Sequence, residues 1–199
     1  DDPRLQVTYD HFRRNYRDIY RAAADAGAVL VPCTVAVNLR DNPPFASAHR
    51  AGLSPEAAGF FDTDFQRGLS LLGDGRVTDA AAAFERCLNR DKSHADAHFY
   101  YAKCLELAGL SPVAAGDHFL KARDLGPLRF RTDSGLNAVV RELFSDPNLG
   151  RCRLADVESG LSEAAPGPVK LPGDEFFHEH VHFTFAGNYE VAKILFAAI

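Results

Sequence analysis

The sequence predicts a partial α/β fold, a parallel-sheet half domain interrupted by an all-α helical-repeat insertion, and helical for most of its length. Three observations carry that reading: a short β-rich run towards each end, helical apolar periodicity beside each run, and a 34-residue self-similarity between them. At 199 residues the chain can bury a core of its own or divide into smaller units. Its 46% hydrophobic and 25% charged residues are those of a folded chain. A formal charge of −5 without any cluster of Lys or Arg excludes a protein built on phosphate contacts, so no nucleic-acid partner is expected.

The first segment, residues 1–56, opens with "YDHFRRNYRDIYRAAADAG", which sets Phe12, Tyr16, Ile19, Tyr20 and Ala23 on one helical face and offers Gly27 as a C-cap. "AVLVPCT" (28–34) reads as a short buried strand, and the loop "VAVNLRDNPPFAS" follows it. The last segment, 128–199, reads as a helix over 133–144, a second strand "GRCRLADV" (150–157) and a short helix over 157–164. A Pro/Gly loop then leads to a closing helix from about 186 to 198. Strand–helix alternation predicts a parallel sheet with helical cover. Two strands cannot cover both faces and both edges of such a sheet. The flanks are therefore expected to be half of a larger unit, completed by an upstream part of the same polypeptide. A second copy pairing through exposed sheet edges is the alternative.

The chain has no Met and opens on Asp1–Asp2–Pro3, so it is expected to be a processed or excised piece, with any upstream targeting signal lost. No apolar run approaches the roughly 20 residues of a membrane helix; the longest, 26–37, is broken by Gly27, Pro32 and Thr34. Compartment stays open. Cys33, Cys87, Cys104 and Cys152 lack C-x-x-C spacing and read as small buried hydrophobes, not a disulfide framework.

Between the flanks, residues 57–127 repeat. Phe65 recurs as Phe99, Gly68 as Ala102, Leu71 as Leu105 and Gly75 as Gly109, each 34 positions on. The offset then becomes 35, from Ala80 to Ala115, Phe84 to Phe119 and Cys87 to Ala122, so one residue is inserted near "GLSPV". Small residues at 68, 80, 102 and 115 let paired helices approach, and Gly75 and Gly109 fall at the turns, where positive φ is cheap. "FQRGLSLLGDGRVTDAAAAFERCLNRD" and its second copy resemble tetratricopeptide repeats. The resemblance implies a groove lined by the first helix of each pair, through Asp62, Phe65, Leu69 and Leu72, then Asp96, Phe99, Lys103 and Glu106. Phe65, Leu69, Phe99 and Lys103 are the peptide-groove candidates. With one cation among the eight, the face lacks a basic clamp for a terminal carboxylate. Peptide binding and a packing or lid role both remain open for so short an array.

The stretch "EFFHEHVHF" (175–183) carries three of the eight histidines and admits three readings. As a strand it would put His178, His180 and His182 on one face, as a zinc site requires, but no H-E-x-x-H spacing and no distant ligand are specified, so no metal is assigned. Surface histidines with no chemistry are the second reading. The third rests on Glu179-x-x-His182, followed by Gly187 and then Ala192, which resembles the last sequence block of the SGNH/GDSL hydrolases. That family's chemistry implies His182 as general base to a serine and Glu179 as the acid that orients it. Only this register works, because Glu175-x-x-His178 is followed five residues later by Phe183. Asn38, Arg40 and Asp41 lie just beyond the first strand's end, where α/β sites form, and with His180 are pocket candidates. The Gly-Asp-Ser and Gly-x-Asn blocks of the family are absent, and the family usually has Asp where this chain has Glu179. The expectation is thus the C-terminal part of a bacterial ester hydrolase or acyltransferase with inserted repeats. It needs no cofactor, is inactive alone, and belongs to proteins often exported or anchored through an upstream segment. The alternative is a tetratricopeptide interaction module without catalysis.

Overall fold

The computed structural model describes residues 3–146 and 149–199. Among them it forms eight helices: α1 (Pro3–Asp25), α2 (Pro55–Gly73), α3 (Val77–Arg90), α4 (Ala95–Leu107), α5 (Pro112–Leu125), α6 (Ser134–Phe144), α7 (Val157–Ala164) and α8 (Phe185–Ala198). No strand or sheet is present among the described residues, which overturns the expected α/β half domain. The chain is all-helical.

The two runs expected to be strands do lie side by side and parallel, but they meet only at isolated bridges, Leu30 with Cys152 and Cys33 with Ala155. Leu30 N–H donates to Arg151 O and Arg153 N–H to Leu30 O; beyond them Ala155 N–H donates to Pro32 O and Thr34 N–H to Ala155 O. The bond that would join these pairs must come from residue 32, and Pro32 has no N–H. Sequence reasoning counted "AVLVPCT" as β-rich and gave too little weight to the proline at its centre.

The repeats form as their spacing predicts. Helix α2 packs on α3, α4 on α5, and α3 on α4. Phe84 and Phe119 are 0% and 1% exposed, and Ala80, Ala102, Ala115 and Cys87 are wholly buried. Gly68 shows why position 68 is small: a Cβ there would stand 2.7 Å from the Phe84 ring. Gly75 and Gly109 take φ of +75° and +64° at the two turns. The extra residue of the second turn is Ser111, the one non-glycine with positive φ (30°) among the described residues, and its hydroxyl caps α5 by accepting from Ala114 N–H.

The flanks surround the repeats. Helix α1 packs on α6, with Phe12, Tyr16 and Tyr20 against Phe144, and Tyr9 Oη donates to Asp133 at 2.8 Å. Helix α7 packs on α8. Between α1 and α2, residues 36–50 run as a strap without regular structure, yet Ala36, Val37, Asn38 and Leu39 are at most 3% exposed. Val37 and Leu39 share one core cluster with Phe99 and Phe119 of the repeats on one side, and with Val169 and Leu171 on the other. The strap is the layer that joins repeats to flank. The four cysteines are free: Cys87, Cys104 and Cys152 are buried and Cys33 half-buried. Burial pushes the Cys87 and Cys104 thiols up to about 12 and about 11, the range of inert core thiols.

Candidate functional site

The histidine stretch is a tight turn, not a strand. Phe177 and Phe183 bridge its base, their rings 4.9 Å apart, and His178 N–H donates to His182 O at 2.8 Å. Glu179 sits inside the turn. Its Oε1 accepts from His182 N–H at 2.7 Å and contacts His182 Nδ1, while its Oε2 accepts from His180 N–H at 2.8 Å. The carboxylate therefore ties the loop together and touches the Nδ1 of both His182 and His180, while His182 Nε2 has no partner among the described residues. The His182 side chain is 79% exposed, and no serine hydroxyl bonds it among the described residues. His178 is exposed, and the His180 ring stands edge-on to Phe45 at 4.8 Å. No group of three or more His, Cys, Asp or Glu among the described residues is disposed to hold a metal.

Gly187 has a packing reason of its own. A Cβ there would lie 2.2 Å from Phe176 O, so only glycine lets α8 start against this backbone, with Thr184 capping it through Gly187 N–H.

Asn38, Arg40 and Asp41 reach the same region from the strap, but as anchors, Asn38 buried and Arg40 and Asp41 half-buried. Asn38 is 0% exposed; its Nδ2 donates to Asp174, its Oδ1 accepts from Asp41 N–H, and its backbone N–H donates to His180 O at 3.0 Å. Arg40 pairs with Asp41, Glu106 and Glu175, and Lys103 Nζ donates to Asp41 at 3.0 Å and to Glu106 at 2.8 Å. Burial alone would raise the Asp41 carboxyl, but the Asp174 amide, Lys103 and Arg40 outweigh it and hold it below its usual value. Five charged groups from three parts of the chain pair with one another here, all of them half-buried.

The expected groove is likewise engaged. Of the second repeat's four groove residues, Phe99 packs with Val37 and Leu39, Lys103 binds Asp41, Glu106 meets Arg40, and Asp96 N–H donates to Ser47 Oγ at 2.7 Å. At the strap's far end, His49 Nδ1 and Arg50 N–H both bond Asp91, a wholly buried carboxylate that also accepts from Ser93. Burial would raise Asp91; these bonds outweigh it and hold it at about 2. On the first repeat Phe65, Leu69 and Leu72 are half-buried and the Asp62 side chain is 71% exposed, touched only by His49 at 3.8 Å among ion pairs. None of the candidate residues lines the five pockets of about 290–490 Å³ on this surface.

Sequence reasoning missed Glu175, Asp174, Ser47, His49 and Asp91. The Asp91-x-Ser93 turn is a local signal that sequence does carry. The long-range partners His49 and Ser47 leave none. No helix among the described residues is long and apolar enough to cross a membrane. No curated protein and no solved structure matches the chain. Residues 65–129 match the sequence model of the tetratricopeptide repeat family, so the paired helices at the centre of this chain are a tetratricopeptide-repeat region.

Proposed function

We propose that the chain is a protein–protein interaction module whose repeat groove grips extended polypeptide. The observation that carries this reading is the strap: residues 37–47 follow the second repeat's groove face and engage Asp96, Phe99, Lys103 and Glu106 by alternating apolar and ionic contacts. On this reading the groove already holds a segment of its own chain, in cis. Its first-repeat half, with Asp62, Phe65, Leu69 and Leu72, is less covered and is where a partner's extended, apolar and basic segment would lie. A peptide-display selection against the intact chain tests this. Enriched segments should lose at least about tenfold in affinity on combining Phe65→Ala with Leu69→Ala, and none on His182→Ala. Enrichment indifferent to the groove substitutions overturns the reading.

A second reading, general-base chemistry, is favoured by one observation: Glu179 contacts His182 Nδ1, as it also contacts His180 Nδ1, and the exposed His182 Nε2 has no partner among the described residues. With no hydroxyl in place it predicts no turnover of p-nitrophenyl acetate by this chain. Turnover abolished by His182→Ala would mean that catalysis is complete within it.

A further inference from the structure

Helix α8 is seated by one face only. Val191 and Ile194 pack with Val157 and Leu161, and Ile194 sits so close over Gly160 that a Cβ there would lie 2.5 Å from its Cδ1. The opposite face carries Phe185, Tyr189, Phe196 and Ile199, exposed by 89%, 59%, 84% and 84%, with exposed Ala192 among them. Their spacing of four, three, four and three residues is that of a seam that packs against another helix. Scattered exposed apolar residues are ordinary, but a continuous stripe along one helix is not.

We propose that this stripe pairs with the α8 of a second copy, antiparallel about a two-fold axis at Ala192. The order of side chains argues for a copy over an unrelated helix. Reading outward from Ala192 in either direction gives an aromatic ring and then a large end residue: Tyr189 and Phe185 one way, Phe196 and Ile199 the other. An antiparallel copy therefore meets large with large at both ends and small with small at the crossing, the self-complementarity that a two-fold interface demands. Charge does not oppose it. Glu190 and Lys193, the only charged residues of α8, pair with each other at 2.8 Å. That same neutrality disfavours an anionic lipid surface, which selects helices with a Lys/Arg-rich polar face. At 150–250 Å² per aromatic side chain, the stripe offers roughly 400–650 Å² per copy. The total of about 1,000 Å² is near the lower limit for a specific interface, so the dimer is weak and concentration-dependent. This surface is distinct from the repeat groove, and the inference does not rest on the groove's function.

Sedimentation equilibrium of the intact chain over a few-hundredfold range of concentration should show a monomer–dimer equilibrium. Tyr189→Glu with Phe196→Glu should leave it monomeric with unchanged helical circular dichroism, since both side chains are exposed. Ala192→Cys should form a copy-to-copy disulfide under mild oxidation, and Arg21→Cys, on exposed α1, should not. A chain that stays monomeric throughout overturns the proposal. So does a dimer indifferent to the double substitution, or one in which the two cysteine variants cross-link alike.

Discussion

Helices α2–α5 are held by Ala80, Phe84 and Cys87 and by Ala115, Phe119 and Ala122, matched positions in two units, all at most 1% exposed. The flanks bury a different chemistry: Thr34, Asn38, Asp133 and Asn137 are all at most 4% exposed, and each is a bonding centre. Asn137 donates to Val35 O and accepts from Val35 N–H, and Thr34 Oγ1 donates to Asp156 and accepts from Glu158 N–H. The repeat helices satisfy their backbone internally, as helices do, and pack mainly by apolar fit, with Asp91, His98 and Arg123 as their buried polar exceptions. The flanks contain long irregular backbone whose N–H and C=O groups must be met by side chains once buried. The repeats lean more on shape, the irregular strap of the flanks more on hydrogen-bond inventory.

The sharpest test of this contrast is Phe84→Ala. It removes a fully buried ring between α2 and α3 and leaves a cavity, and should lower unfolding stability by about 3–5 kcal/mol in urea titration. A loss below about 1 kcal/mol would mean that the repeats are not the apolar anchor of the molecule.

Acid should act next most strongly. Burial, aided by His49, pushes His94 down to about 4; burial and His98 do the same to His118, and burial lowers His98. These imidazoles are neutral in the fold and take up protons in the unfolded chain below its ordinary value of about 6.5. Their contribution is complete above pH 6.5 and is lost as pH falls towards 4, so the urea midpoint should drop across that window. Asp91 adds a second step, present above about pH 4 and lost as pH falls towards 2. A midpoint flat between pH 6.5 and 4 would show that the three rings titrate as if exposed.

The smallest effect separates the regions most cleanly. Asn137→Ala leaves the Val35 N–H and C=O unpaired and should cost about 1–3 kcal/mol. Hydrogen exchange should speed up at residues 34–36 and in α6 while the amides of α3 and α4 keep their protection. Equal loss in both regions would mean that repeats and flanks open as one unit.

What the sequence made legible follows the same division. Period and small–large alternation locate the repeats, and the change of offset from 34 to 35 places an inserted residue near "GLSPV", where Ser111 takes positive φ. Helices α6, α7 and α8 begin at side-chain caps, Asp133, Asp156 and Thr184, which are local signals. The sheet was misread because β-rich composition at 28–34 outweighed one missing donor at Pro32. The strap escaped notice because "VAVNLRDNPPFAS" has no period, and its partners lie tens of residues away in folded repeats. Glu179 reaches His182 Nδ1, and His180 Nδ1 too, because separations of one to three residues are short-range geometry. Whether anything approaches Nε2 is not a local property, and no spacing could encode it.

The bridge from Cys33 to Ala155 joins residues 122 positions apart, with all four repeat helices between its ends. As a coil such a tether would make that meeting entropically slow. Once α2–α5 have collapsed through neighbour-to-neighbour contacts, the tether is a short rigid body with the strap at its side. We expect the order of assembly to run outward from the middle, so that the flanks cannot find each other until the insert has folded.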